Sequence, residues 1–159
     1  MIPDSLTSAL KAALVFLLFS LALAQVYAVF MMIEIGATTP EVEPLVVPYS
    51  IGAVLALVGL QAAVIIVWQL LSMVEERTIF QDKSIKRVNQ LIVSIAISII
   101  IVTGLLAHLL FFMGFGGPIF LMALVLILPL GAAVVLLLLV MRGLLVEAVR
   151  NRTELDAVI

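Results

Sequence analysis

The chain has no cysteine, which excludes disulfides, thiolate nucleophiles and cysteine-bound metals. It has one histidine, His108, so a histidine metal cluster is excluded as well. Charged residues make up only 11% of the 159 residues, and the net charge is −2. That balance is too weak to draw nucleic acid by bulk electrostatics, so direct binding of nucleic acid is not expected. No glycine-rich phosphate loop, HExxH or GxSxG motif occurs, and Ser84 has no histidine near it in sequence. An enzyme is therefore not expected, nor a cofactor or a metal. The most telling absence is local. Four stretches contain no Asp, Glu, Lys or Arg: Ala12–Ile33, Ile51–Val74, Leu91–Met113 and Ile119–Met141.

What fills those stretches is apolar. The hydrophobic fraction is 65%, against roughly 45–50% in soluble domains, and the mean hydropathy is +1.40. The four stretches run 22, 24, 23 and 23 residues. A hydrocarbon core takes about 20 helical residues, and backbone groups in lipid must bond internally. None of the four alternates like a barrel strand. The fold class expected is all-α membrane, a single domain over 1–159 forming a four-transmembrane-helix bundle.

Orientation follows from the basic residues. Lys11 precedes the first span. Arg77, Lys83, Lys86 and Arg87 lie between the second and third, and Arg142, Arg150 and Arg152 follow the fourth. The segments Glu34–Ser50 and Gly114–Pro118 have none. The positive-inside rule gives an N-in/C-in topology, with the polar run Val74–Leu91 in the cytoplasm. Ala22-Leu23-Ala24 resembles a signal-peptidase site. However, apolarity continues to Ile33 and no basic cluster precedes the span, so cleavage is not expected.

The loops carry further expectations. Pro40, Pro44 and Pro48 are spaced to block a regular helix between spans one and two. Glu34, Glu41 and Glu43 there read as an acidic cap, or as a weak site for cations or a basic partner. Glu75 and Glu76 read as solvated interface residues. Asp82 or Ser84 is placed to cap a new helix. Gly114–Pro118 makes spans three and four a hairpin, and Pro129 predicts a local kink. Beyond Met141, Leu144, Leu145, Ala148, Leu155, Val158 and Ile159 keep a helical spacing. The fourth helix is thus expected to extend into the cytoplasm over 142–158.

Few polar groups lie within the spans, which counts against a proton relay or voltage sensor. Gln25 lies about nine residues from the outer end of span one and Gln61 about ten from that of span two. At about 1.5 Å per residue their depths match, so the two amides form a candidate intramembrane clamp. Gly52, Ala56, Gly59 and Ala63 offer a small-residue face, and Ser94 with Ser98 a close-packing face. His108 reads as an interfacial hydrogen-bond partner or a pH sensor.

The polar run Trp68–Val74, Arg77–Phe80 and Ser84–Val88 resembles the centre of the family catalogued as domain of unknown function 2975. So does the end, Val140–Leu145, Ala148 and Arg152–Ile159, together with Pro40–Pro48 and Gly117-Pro118. The resemblance implies a small bacterial four-span protein of the plasma membrane, with no established activity. By analogy it implies a partner, a small cytoplasmic helix-turn-helix regulator. Phe80, Lys83, Lys86, Arg87, Arg150, Arg152 and Asp156 are the candidate cytoplasmic interaction face. A regulatory or sensory protein is one reading. An accessory or assembly subunit of a larger membrane complex, a homo-oligomer, or an oligomeric transporter or channel are the alternatives.

Overall fold

A computed structural model describes residues 4–76, 82–114 and 117–156. Helix α1 is Asp4–Thr38, α2 Glu43–Glu75, α3 Asp82–Ala107 and α4 Pro118–Asp156. A 3-10 turn, Pro40–Val42, joins α1 to α2, and α3 continues as a π-helical stretch over His108–Phe112. All four helices are long and apolar enough to cross a membrane, the make-up of a multi-pass membrane protein.

The helices outrun the charge-free stretches. α1 has 35 residues and α4 has 39, or about 52 and 58 Å at about 1.5 Å per residue, against a hydrocarbon core of about 30 Å. Hydropathy marks the part of a helix that lipid can cover. Backbone hydrogen bonding continues past it. α1 runs unbroken through Ala22–Ala24, and α4 stays helical through Pro129.

The expected proline-broken loop is corrected by the structure. Pro40 opens the 3-10 turn, Pro44 lies in the first turn of α2, and Pro48 lies inside α2. A proline in a first turn loses no bond, because its N–H would have had no helical acceptor. Only Pro48 removes one, the bond to the carbonyl of Pro44. Thr39 alone is extended (φ −131°, ψ 91°), as a residue before proline prefers. The chain therefore turns within a few residues between two long helices. At the other hairpin Gly114 adopts φ 63°, a left-handed conformation that ends the π-helical stretch.

α3 starts at Asp82, which puts Ser84 inside the helix, fully buried, rather than at its cap. Arg77 to Gln81, Phe80 among them, lie outside the described residues.

The helices pack in chain order, α1 on α2, α2 on α3 and α3 on α4, and no comparable contact joins α1 to α4 among the described residues. The four form an open row. α2 has a neighbour on each side and holds much of the buried core, with Tyr49, Ala56, Ala63, Val64 and Ile66. Its small-residue face meets α3. A Cβ on Gly59 would overlap Ser98 Oγ and come within 3.2 Å of Ser94 O, and one on Gly52 would lie 2.8 Å from Leu105. Ala63 and Ile66 meet Leu91, with Leu138 of α4 packed against them. α4 also closes on α3 at Gly131, where an added Cβ would be 2.8 Å from Ile99. Elsewhere α4 exposes large apolar side chains on its other faces, such as Ile119, Leu130, Leu136 and Leu144.

Gly59→Ala is expected to destabilise the protein by about 1–3 kcal/mol, as overpacking does. Adding Ser98→Ala should recover part of that loss, since only the hydroxyl is overlapped outright. Gly143→Ala, where nothing lies within 4 Å, should be neutral. Unfolding in detergent of the three variants measures this, and equal stability of Gly59→Ala and Gly143→Ala would contradict the close seam.

Candidate functional site

The row of helices has a basic end and an acidic end. Antiparallel packing brings the start of α1, the end of α2, the start of α3 and the end of α4 to the basic end. Glu34, Glu41, Glu43 and the Gly114 turn lie at the other. Among the described residues these carboxylates form no group of three able to hold a metal ion.

Between the ends, polar side chains meet in pairs. Gln25 Nε2 donates to Gln61 Oε1 at 3.3 Å, and Gln61 Nε2 donates to Gln25 Oε1 at 3.2 Å. The equal depths read from the sequence do bring the two amides together. Each amide covers the other's acceptor, which matters where water is scarce. Fourteen residues toward the basic end on each helix, Lys11 Nζ reaches Glu75 Oε2 at 2.5 Å. The same cation lies 6.0 Å from the ring centroid of Trp68. One antiparallel register thus makes both contacts. Glu75, expected to be merely solvated, is the ion-pair partner of Lys11. The matching offsets of 25 from 61 and 11 from 75 were the available signal.

Between α2 and α3, Ser94 Oγ donates to the carbonyl of Gly59 at 2.7 Å, and Ser98 Oγ to that of Ser94 at 3.0 Å. Ser98 is only 2% exposed, so satisfying its hydroxyl within the helix removes a cost that burial would otherwise impose. Toward the acidic end, Tyr49 Oη and His108 Nδ1 are 2.7 Å apart, and the tautomer decides which one donates. His108 opens the π-helical stretch and stacks on Phe112, with ring centroids 5.5 Å apart. Tyr49 was not foreseen as its partner. With a proline loop assumed up to Ser50, Tyr49 had no place on a helix. A cavity of about 190 Å³ lies beside this pair, lined by Met32, Ile35, Val42, Tyr49, Leu109 and Phe120.

At the basic end the structure gathers part of the candidate interaction face. Lys83, Lys86 and Arg87, from the first turns of α3, line one cleft with Gln69 and Met73 of α2 and Glu76 just past its end. Its volume is about 580 Å³. Arg87 donates to Gln90 Oε1 at 3.3 Å. Arg150 is exposed on α4 and does not line the cleft. Arg152 and Asp156 belong to α4 by backbone, but their side chains, like all of Phe80, lie outside the description. Gln69 lines the cleft and carries a buried, unpaired Oε1.

A family model described as a protein of unknown function, DUF2975, matches residues 30–159. The chain belongs to the DUF2975 family. The match starts within the second half of α1 and takes in the acidic hairpin, the α2–α3 seam, the basic cleft and all of α4. No curated protein and no solved structure matches the chain. In this DUF2975 protein the seam and the polar pairs are therefore read from geometry alone.

A double-mutant cycle on Gln25→Leu and Gln61→Leu should return a coupling of about 0.6 kcal/mol, up to about 1.7. Each single change strands a partly buried amide, so the double variant should be less destabilised than the two singles added together. Additive losses in detergent unfolding would show that the amides do not stabilise each other.

Proposed function

We propose that this protein is a non-enzymatic, multi-pass protein of the bacterial plasma membrane, with both termini inside. It serves in regulation by docking a small cytoplasmic protein of the helix-turn-helix type on its basic end. The observation that carries this reading is the charge asymmetry of the row. Lys11, Lys83, Lys86, Arg87, Arg142 and Arg150 all lie toward one end, and the described residues of the other end offer only carboxylates. The positive-inside rule turns that asymmetry into an orientation.

The reach of α4 supplies the surface. From the buried cluster that holds Leu91 and has Leu138 packed against it, α3 has nine more residues back to its start at Asp82, while α4 has eighteen on to Asp156. At about 1.5 Å per residue α4 stands about 13 Å beyond the start of α3. Leu145, Ala148 and Val149 form its half-buried stripe, while Glu147, Arg150 and Asn151 face outward. Leu144, expected on the buried stripe, is 62% exposed instead. A helix presented in this way, with charge on one side and apolar side chains still uncovered, suits docking of a soluble partner.

A second reading is supported by α4 itself. Its large apolar side chains are exposed along the whole span, so a subunit of a larger membrane complex, or a second copy, has a surface to use.

The absence of native cysteine makes the orientation easy to measure. In intact cells an impermeant maleimide should label Glu41→Cys and leave Arg150→Cys unlabelled until the membrane is opened. The reverse pattern would overturn the orientation. For docking, photo-crosslinking residues at Glu147 and Asn151 should capture a small helix-turn-helix protein encoded beside this one. Capture of a membrane subunit would move the reading to the second alternative, and capture of neither would end the regulatory one.

A further inference from the structure

The cleft at the basic end is only half of a longer groove. It is bounded by Lys83, Lys86 and Arg87 on α3, by Gln69 and Met73 on α2, and by Glu76 just past its end. Gln69, Arg87 and Gln90 also line a second cavity of about 600 Å³ between the same helices. That cavity continues along Ala62, Ile65, Ile66, Val93 and Ile97. From Gln69 to Ala62 is seven residues, about 10 Å toward the middle of the membrane. A hydrocarbon leaflet is about 15 Å deep, so the apolar part accepts the upper part of an acyl chain. The groove has a cationic mouth and an apolar trough, and these match the two halves of an anionic amphiphile.

The charges at the mouth call for an anion. Three cations face one carboxylate, Glu76. Among the described residues Lys83 and Lys86 make no ion pair or hydrogen bond, and Arg87 contacts only the neutral Gln90. All three lie within the first two turns of α3, where the helix dipole disfavours cations and favours anions. A phosphate there satisfies the side chains and the dipole together. Long basic side chains at a helix end also reach headgroup level naturally.

Gln69 marks the boundary between the two parts. Its Oε1 is buried, unpaired and placed where the charged mouth gives way to the apolar trough.

We propose that the α2–α3 groove binds one anionic glycerophospholipid, phosphatidylglycerol being the simplest. Its phosphate sits against Lys83, Lys86 and Arg87, and one acyl chain lies along Ile65, Ile66, Val93 and Ile97. This site shares Lys83, Lys86 and Arg87 with the candidate interaction face, but it needs only the chain and lipid, so its test is separate from that of docking.

The test is native mass spectrometry of the full chain in mild detergent, titrated with phosphatidylglycerol, phosphatidic acid, phosphatidylcholine and glycerol 3-phosphate. One phosphatidylglycerol should be retained in preference to phosphatidylcholine. Lys86→Gln with Arg87→Gln should weaken it about thirtyfold, at about 1 kcal/mol per basic residue near a headgroup. Arg150→Gln, outside the groove, should leave it unchanged. Val93→Trp should weaken retention without altering charge, and so tests the trough even if the doubly neutralised variant fails to fold. Phosphatidic acid, which carries the same phosphate and chains, should be retained as phosphatidylglycerol is, again in preference to phosphatidylcholine. Equal retention of phosphatidylglycerol and phosphatidylcholine by the wild type would overturn the proposal. So would glycerol 3-phosphate binding as tightly as the lipid, because the trough would then have no role.

Discussion

Helices surrounded by hydrocarbon gain nothing by hiding apolar side chains from their surroundings, because lipid is as apolar as leucine. What can hold such a row together is closeness of approach, and where α2 meets α3 that closeness runs along a seam of small residues. Gly59 has no room for a Cβ, Ser94 and Ser98 fill the gap across from it, and Gly52 repeats the arrangement against Leu105. The two backbones are near enough for Ser94 to reach the carbonyl of Gly59 at 2.7 Å. α1 and α4 then attach to this pair from either side. The order of attachment explains why α2 holds much of the buried core and α4 very little.

The attachment of α1 is of another kind. Gly36 leaves no room for a Cβ against Val46, and polar contacts are spaced along one register. The paired amides of Gln25 and Gln61 lie well inside the span, and Lys11 with Glu75 and Trp68 lies at its basic end. The two contacts differ in what they can contribute. The amide pair has few competitors for its hydrogen bonds. Lys11 and Glu75 are partly exposed, with side-chain exposures of 29% and 36%, so water and salt weaken their attraction. The inner pair therefore contributes more to holding α1 than the outer pair does, and both fix the same register.

Much of this was legible before any coordinates. The absence of charge in four stretches led directly to four helices, and counting residues from the ends of two spans placed Gln25 and Gln61 at one depth. Both inferences use quantities that lipid imposes on any chain, thickness and polarity. Features set by local backbone chemistry were harder to read. Pro40, Pro44 and Pro48 look like breakers one by one, yet two occupy first-turn positions where proline costs nothing, and the third removes a single bond. That misreading hid Tyr49 and with it the partner of His108. The openness of the row was also illegible. α4 is apolar on every side, so its sequence alone does not distinguish the stripe through Gly131 and Leu138 from the faces left to lipid. Of the candidate interaction face, Lys83, Lys86 and Arg87 came together because consecutive turns of one helix must place them near each other. Arg150 rests on a different helix, and no spacing rule could say whether it would join them.

The seam also accounts for where the groove opens. α2 and α3 stay close as long as glycine, alanine and serine face each other, from Gly52 and Leu105 to Ala63 and Leu91. Beyond that the facing residues are Gln69 and Met73 on α2 and Arg87, Lys86 and Lys83 on α3, all long side chains. Side chains of that length leave a recess whose walls carry whatever they carry at their ends, while the apolar trough runs along the flank of the close seam past Ala62, Val93 and Ile97. The transition falls at Gln69 and Gln90, where the apolar trough meets the charged mouth. The change in residue size that ends the tight contact thus opens a charged mouth at the end of an apolar trough that the flank of the seam supplies. A recess of that composition is complementary to the two halves of an anionic lipid.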